Sequence, residues 1–326
     1  GLGDVYKRQA YDEAEFIVDD IREQVDRGNG TYNDNAILYR TNAQSRIFEE
    51  KFVTANIPYK IVGGINFYAR REIKDLLCYL KTIDNGKDDL AVRRVINVPK
   101  RGIGLTSINR VQDYAAAYDI GFYDALLSAD AIPNIGRGLS KLESFVALIE
   151  HFKVDAKDMT LSDLMQEILD VTGYIDSLMA EGPEEAEARI ENIDELRSKI
   201  ATYEETCEEN NEPATLNGFL EEVALVADID SLDEDTDYVV LMTLHSAKGL
   251  EFSHVYLAGL EDGIFPSYMT ITADSPEELE EERRLCYVGI TRAEEELTLT
   301  CARRRMIRGE TQYNNCLLYT SPSPRD

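Results

Sequence analysis

The sequence predicts an α/β protein in which a parallel-sheet domain is interrupted by a long, all-helical excursion. Short apolar strands alternate with amphipathic helices near both ends of the chain. No convincing strand interrupts about 105–230, where helical patterns follow one another. The 326 residues suffice for about two cores, at roughly 150 residues per domain.

Residues 1–9 and 315–326 match neither neighbour in pattern and read as non-native flanking sequence outside the fold. From Ala10, the residues Ala14, Phe16, Ile17, Ile21 and Val25 recur at helical spacing until Gly28 and Gly30 stop the helix. NAILYR is a short strand, and TNAQSRIFEEKFVTAN is a helix opened by Thr41 or Asn42. IPYKIVGG is a second strand closed by two glycines. REIKDLLCYLKTI places Ile73, Leu76, Leu77 and Leu80 on one helix face, and AVRRVINV runs to the break at Pro99.

The excursion reads SINRVQDYAAAY, FYDALLS, LSKLESFVALIEHF, LSDLMQEILDVT, ARIENIDELRSKIATYEE and LNGFLEEVALVAD, each with helical periodicity. The acidic run 228–237 then reads as a solvated linker. Strands return at YVVLMTL and HVYLAGL, followed by the helix ELEEERRLCYVGITRA and the strand ELTLTCA. The expected division is 10–101 for the first part of the sheet domain, 102–236 for the helical insertion and 237–314 for the second part.

Charge narrows the function. Against 34 Lys and Arg stand 62 Asp and Glu, so a chain of net charge −28 does not bind nucleic acid over its whole surface. Residues 101–240 hold 9 basic and 32 acidic side chains, a net of −23, which leaves −5 for everything else. A local basic track therefore remains compatible with the total. Apolar stretches fall short of the roughly 18 residues a spanning helix needs, and no leader is recognisable, so no membrane association is expected. Five scattered cysteines, an odd number without a CxxC pair, fit a reducing cytoplasm.

Four segments carry candidate chemistry. Arg292 sits between a helix and a strand, where a guanidinium either grips a phosphoryl oxygen at two points or caps the surface. Thr243, His245 and Glu251 project from the strand end MTLHSAKGLEF, which is either a ligand edge or a simple turn. Tyr39 and Arg40 precede a helix start at Thr41; they suit a base with its phosphates, or a packed ring and a solvated cation. Lys100 and Arg101 precede Gly102-Ile103-Gly104 and a helix start near Thr106. Backbone N–H groups exposed there would meet phosphates without reading bases. No GxxxxGK[ST] and no DExx block occurs anywhere in the chain.

Taken in order, LYRTNAQSR, GGINFYARREIKD, INVPKRGIG, LMTLHSAKGLEF and EEERRLCYVGITRAEEEL resemble the C-terminal half of the PcrA/UvrD/Rep family of superfamily 1 helicases. The resemblance covers residues 10–314. It implies a second RecA-like domain of P-loop NTPase fold, with the helical insertion placed over duplex DNA. By the same resemblance Tyr39 stacks on adenine, Arg40 meets the phosphates, Glu251 holds the ribose and Arg292 is the arginine finger. Arg40 and Arg292 are thus the expected catalytic residues.

Thr243 and His245 would face single-stranded DNA, and Lys100, Arg101, Gly102, Gly104 and Thr106 would contact the duplex. Phe67, Tyr68 and Arg70 either couple the insertion to the sheet domain or simply pack. The implied activity is ATP-dependent 3′–5′ translocation on single-stranded and forked DNA in repair or replication, with protein partners from those processes. ATP and Mg²⁺ are the implied cofactors. The Walker A loop and the Mg²⁺ ligands would belong to an N-terminal RecA-like domain outside this chain, leaving it inactive alone and with no metal ligands of its own. Two other readings compete: a non-catalytic module binding DNA junctions, and a protein-interaction fragment using the acidic middle.

Overall fold

A computed structural model describes residues 2–228, 233, 235–273 and 275–317, with side chains from Gln9 onward. Residues 229–232 and 234 of the expected acidic linker lie outside the described residues. The chain forms two compact units, one from the segments up to Phe67 and from Val226 on, the other from Tyr68–Leu225.

The first unit begins with β1 (Leu2–Gln9), α1 (Ala10–Asp26), β2 (Asn35–Tyr39), α2 (Ser45–Ala55) and β3 (Tyr59–Ile61). A 3₁₀ turn at Asn42–Gln44 leads into α2. Its capping box pairs Thr41 with Gln44, whose Oε1 accepts from the Arg40 and Thr41 amides at 3.0 Å each. The left-handed Asn56 (φ 55°) then stops α2.

The second unit holds α3 (Arg71–Asp84), α4 (Asp89–Val95), α5 (Leu105–Tyr118), α6 (Phe122–Leu127), α7 (Leu139–Asp155), α8 (Leu161–Thr172), α9 (Tyr174–Glu181), α10 (Pro183–Glu209) and most of α11 (Leu216–Ala227). Here α3 packs on α4, α7 and α10. These helices therefore begin the helical unit near residue 68, ahead of the 102 expected from strand content. Inside it, buried Asp75 accepts from Tyr174 at 2.6 Å and pairs with Arg94 at 2.8 Å. Gly173, with φ +66°, ends α8 where the pattern LSDLMQEILDVT stops, and the short α9 that follows is not among the expected helices.

The chain returns to the first unit through β4 (Val239–Thr243), β5 (Phe252–Leu257), α12 (Tyr268–Thr272), α13 (Pro276–Ile290), β6 (Ala293–Ile307) and β7 (Glu310–Tyr313). Among the described residues the strand order is β1-β6-β5-β2-β4-β3. All pairs along it are parallel, and β7 adds antiparallel to β6. Central β2 is buried along its whole length, as a strand covered on both faces must be.

Alternate residues split between two cores, the period-two pattern of a strand. Ile37, Tyr39 and Leu241 join α1 and α2 on one face. Ala36, Leu38 and Met242 join Leu285 of α13 on the other.

Two flanking expectations meet a different structure. Residues 2–9, set outside the fold on sequence grounds, form the edge strand β1 against β6. Cys316, in the other flank, is disulfide-bonded to Cys301 with Cα atoms 5.8 Å apart. The expectation of uniformly reduced thiols does not hold for this pair. An isolated antiparallel bridge between Glu261 and Cys316 holds the returning chain beside the segment that follows β5, a contact that cysteine spacing does not reveal. Cys78, Cys207 and Cys286 are free. Among the described residues, no helix is long and apolar enough to cross a membrane.

Candidate functional site

The parallel register divides the candidate residues of the first unit between two edges of the sheet. Tyr39 lies opposite Thr243, so β2 and β4 deliver Arg40 and His245 to the same, C-terminal edge. Glu251 and Arg292 instead immediately precede β5 and β6, at the opposite edge. The length of β5, roughly 20 Å at about 3.3 Å per residue, separates the two groups. The sheet does not bring Arg40 and Arg292 together.

At the C-terminal edge the Tyr39 ring is fully buried and stacks on Phe48, with centroids 6.2 Å apart. In this arrangement it presents no face to a nucleotide base. Arg40 is half-buried, and its Nε donates to both oxygens of Glu282 at 3.0 and 3.2 Å. Glu282 lies on α13, is itself buried and also accepts from the Thr270 hydroxyl at 3.4 Å. Two charge-assisted contacts thus hold Arg40, and an incoming phosphate must compete with a carboxylate for it.

Thr243 donates to Ser246 Oγ at 3.3 Å. Ser246 in turn fills the space above Gly63, whose φ is +75° and where a Cβ would stand 2.5 Å from the Ser246 hydroxyl. Partial desolvation first, and the Arg40 charge second, hold the exposed His245 ring below the ordinary histidine range. The ring is therefore neutral at neutral pH, able to donate, accept or stack but not to act as a cation.

The opposite edge holds a guanidinium in a different setting. Arg292 Nε donates to the Val288 carbonyl at 3.1 Å, Nη1 to the Leu250 carbonyl at 3.1 Å and Nη2 to the Thr291 hydroxyl at 3.2 Å. Its own carbonyl accepts from the Phe252 amide at 2.9 Å, which fixes the turn. The cation lies just past the C-terminus of α13, where helix-end carbonyls favour positive charge. Neutral oxygens aim its side chain, so its charge remains available to an anion. Exposed Glu251 follows Leu250 directly.

In the helical unit, the loop before α5 separates its two cations. Lys100 is exposed, as are Gly102, Gly104 and Thr106. Arg101 folds inward. Its Nη1 donates to the Val95 and Ile96 carbonyls at 2.7 and 3.1 Å, Nη2 contacts the Tyr79 hydroxyl, and the guanidinium lies 5.3 Å from the Phe145 ring centroid. Arg101 is thus an anchor of the loop rather than a free cation at its tip.

Lys141, from α7, takes that place. Its Nζ donates to the Gly102 carbonyl at 2.9 Å, a contact across 39 residues with no sequence signal. Gly104 precedes the first turn of α5 in extended conformation, and a Cβ there would meet open space.

The segment from Phe67 to Arg70 is held by packed polar groups. The buried Phe67 amide donates to Glu49, which also accepts from Ser45 at 2.7 Å and Tyr59 at 3.1 Å. Buried Arg70 donates to Asn192 at 2.8 Å, and Asn192 donates to Glu72 at 2.7 Å. Tyr68 is half-buried.

A parallel sheet with chemistry at its strand ends, interrupted between two neighbouring strands by a helical unit, is the architecture of a helicase core domain with an insertion. The chain belongs to the UvrD-like helicase C-terminal domain family, which matches residues 5–304. It is 44% identical over 315 residues to the ATP-dependent DNA helicase PcrA of Staphylococcus epidermidis, covering 97% of this chain and 43% of that protein. The protein of the same name from Bacillus subtilis is 43% identical over 322 residues, with the same coverages. That of Staphylococcus aureus is 45% identical over 303 residues, covering 93% of this chain and 41% of the relative. The chain thus spans under half the length of these relatives.

Proposed function

We propose that this chain supplies the second motor domain and the duplex-facing insertion of a cytoplasmic, ATP-dependent 3′–5′ DNA helicase. The observation that carries this is Arg292, aimed by neutral oxygens beside Glu251, on a chain without a phosphate loop. ATP, when bound, supplies the phosphoryl transfer that drives translocation. Arg292 would meet the charge developing on the transferred group, and Glu251 would orient the ribose.

The fit is to nucleotide phosphate, not to Mg²⁺. Mg²⁺ would be held by the N-terminal RecA-like domain that the family resemblance implies. Thr243 and neutral His245 would track single-stranded DNA along the C-terminal edge. Arg40 would reach phosphate only by exchanging Glu282 for it. Lys100 and Lys141, with the amides around Gly104, would contact duplex backbone.

In the full-length enzyme, Arg292→Ala should lower DNA-stimulated kcat by about 10³-fold or more. Affinity for DNA without nucleotide should be unchanged. Near-normal turnover would make Arg292 a structural cap and remove the basis of this reading. A second reading, junction binding without turnover, draws on the Lys100–Lys141 pair and predicts salt-dependent binding by this chain alone.

A further inference from the structure

We propose that His151, Asp155 and Glu167 form a binding site for a zinc-class divalent cation, clamping α7 to α8 within the helical unit. His151 and Asp155 are four residues apart on α7 and so share one face, while α8 brings Glu167 to the same point. His151 Nε2 lies 3.0 Å from Asp155 Oδ2 and 3.4 Å from Glu167 Oε1. One ligand atom from each of the three residues falls within 4.8 Å of the others. A tetrahedral ion held at about 2.1 Å by nitrogen and oxygen needs ligands about 3.4 Å apart, close to the two measured edges.

The protein's own donors do not satisfy this group. Glu167 Oε2 is closed off from solvent and has no hydrogen-bond partner. A neutral imidazole carries a single N–H, too few for two carboxylates. Two carboxylates facing one imidazole leave such a site short of positive charge.

The His151 side chain is 53% exposed, which leaves an entry path and room for water as a fourth ligand. The −23 charge of the surrounding segment draws cations toward it. One imidazole with two carboxylates suits zinc and its neighbours. Calcium takes six to eight oxygens, and magnesium keeps an octahedral shell of water.

The test is calorimetric titration of the chelator-treated chain with Zn²⁺ alone, repeated with Co²⁺ for its visible spectrum. One equivalent should bind. His151→Gln and Glu167→Gln should each weaken binding by at least the roughly 10–100-fold that loss of an outer-shell partner costs. Asp158→Asn, an exposed acid nearby, should leave binding unchanged. Zn²⁺ should raise the thermal midpoint of the wild-type chain and not of His151→Gln, and the Co²⁺ spectrum should lack thiolate charge-transfer bands. Failure of the wild-type chain to bind, equal binding by the variants, or thiolate bands pointing to Cys78, Cys207 or Cys286 would overturn the proposal. Because His151 is exposed, its replacement should keep the wild-type helical circular dichroism.

Discussion

Arg40 and Arg292 carry the same charge in opposite settings, and only the structure separates them. Both read in sequence as cations at element junctions, yet one faces a buried carboxylate and the other neutral oxygens, the Val288 and Leu250 carbonyls and the Thr291 hydroxyl. What sequence cannot supply is the layer above: Glu282 over Arg40, Phe48 under Tyr39, Tyr79 and Phe145 around Arg101. A third arginine shows how far burial can dominate. Arg305 pairs at once with Glu13 and Glu261, and both carboxylates are buried almost completely. Burial holds the Glu261 carboxyl above its ordinary range despite Arg305. The folded state therefore binds that proton more tightly than the unfolded chain does, and this contribution is lost as pH rises through the raised value. In Arg305→Met the two carboxylates lose their cation, which should cost about 3–5 kcal/mol at neutral pH. The cost should shrink toward about pH 4.3, the unfolded glutamate value, as Glu261 takes up its proton. Urea unfolding at the two pH values measures it, and an equal loss at both would show that the triad does not titrate as described.

At the scale of elements, periodicity located the expected helices and the central strands because each has one apolar face or a fully apolar run. Pieces defined by pairing, or too short to show a period, were not legible: β7 exists only as a partner of β6, and α9 is 8 residues between Gly173 and Gly182. The site loops belong to the same class. GG after β3 reads as a strand stop, whereas Gly63 also makes room for the Ser246 hydroxyl behind Thr243. Gly63→Ala should destabilise the first unit by about 1–2 kcal/mol from its left-handed backbone alone, with the clash added. Adding Ser246→Ala should recover the steric part only, as read by thermal unfolding. Full recovery would show that backbone conformation at Gly63 costs nothing.

At the scale of the molecule, strand content led the sheet domain to be drawn through residue 101, while packing assigns α3 and α4 to the helices. Composition sees strands and helices; it does not see which helix lies on which layer. The strand order has a further consequence, for the timing of assembly. The strands that precede the helical unit, β1, β2 and β3, never pair with one another. Their partners β6, β5 and β4 are all translated after it. At roughly 5–20 residues per second, β2 waits on the order of 10–40 s for its first neighbour, while the helical unit has local contacts to form at once. Pulsed hydrogen exchange during refolding should protect α7 and α10 amides before those of β2, and the reverse order would show that the sheet nucleates first. The apolar run from Ala36 to Tyr39, destined for the buried centre of the sheet, thus stays without its neighbours until the whole helical unit has been made, and it is there that a chaperone would find its substrate.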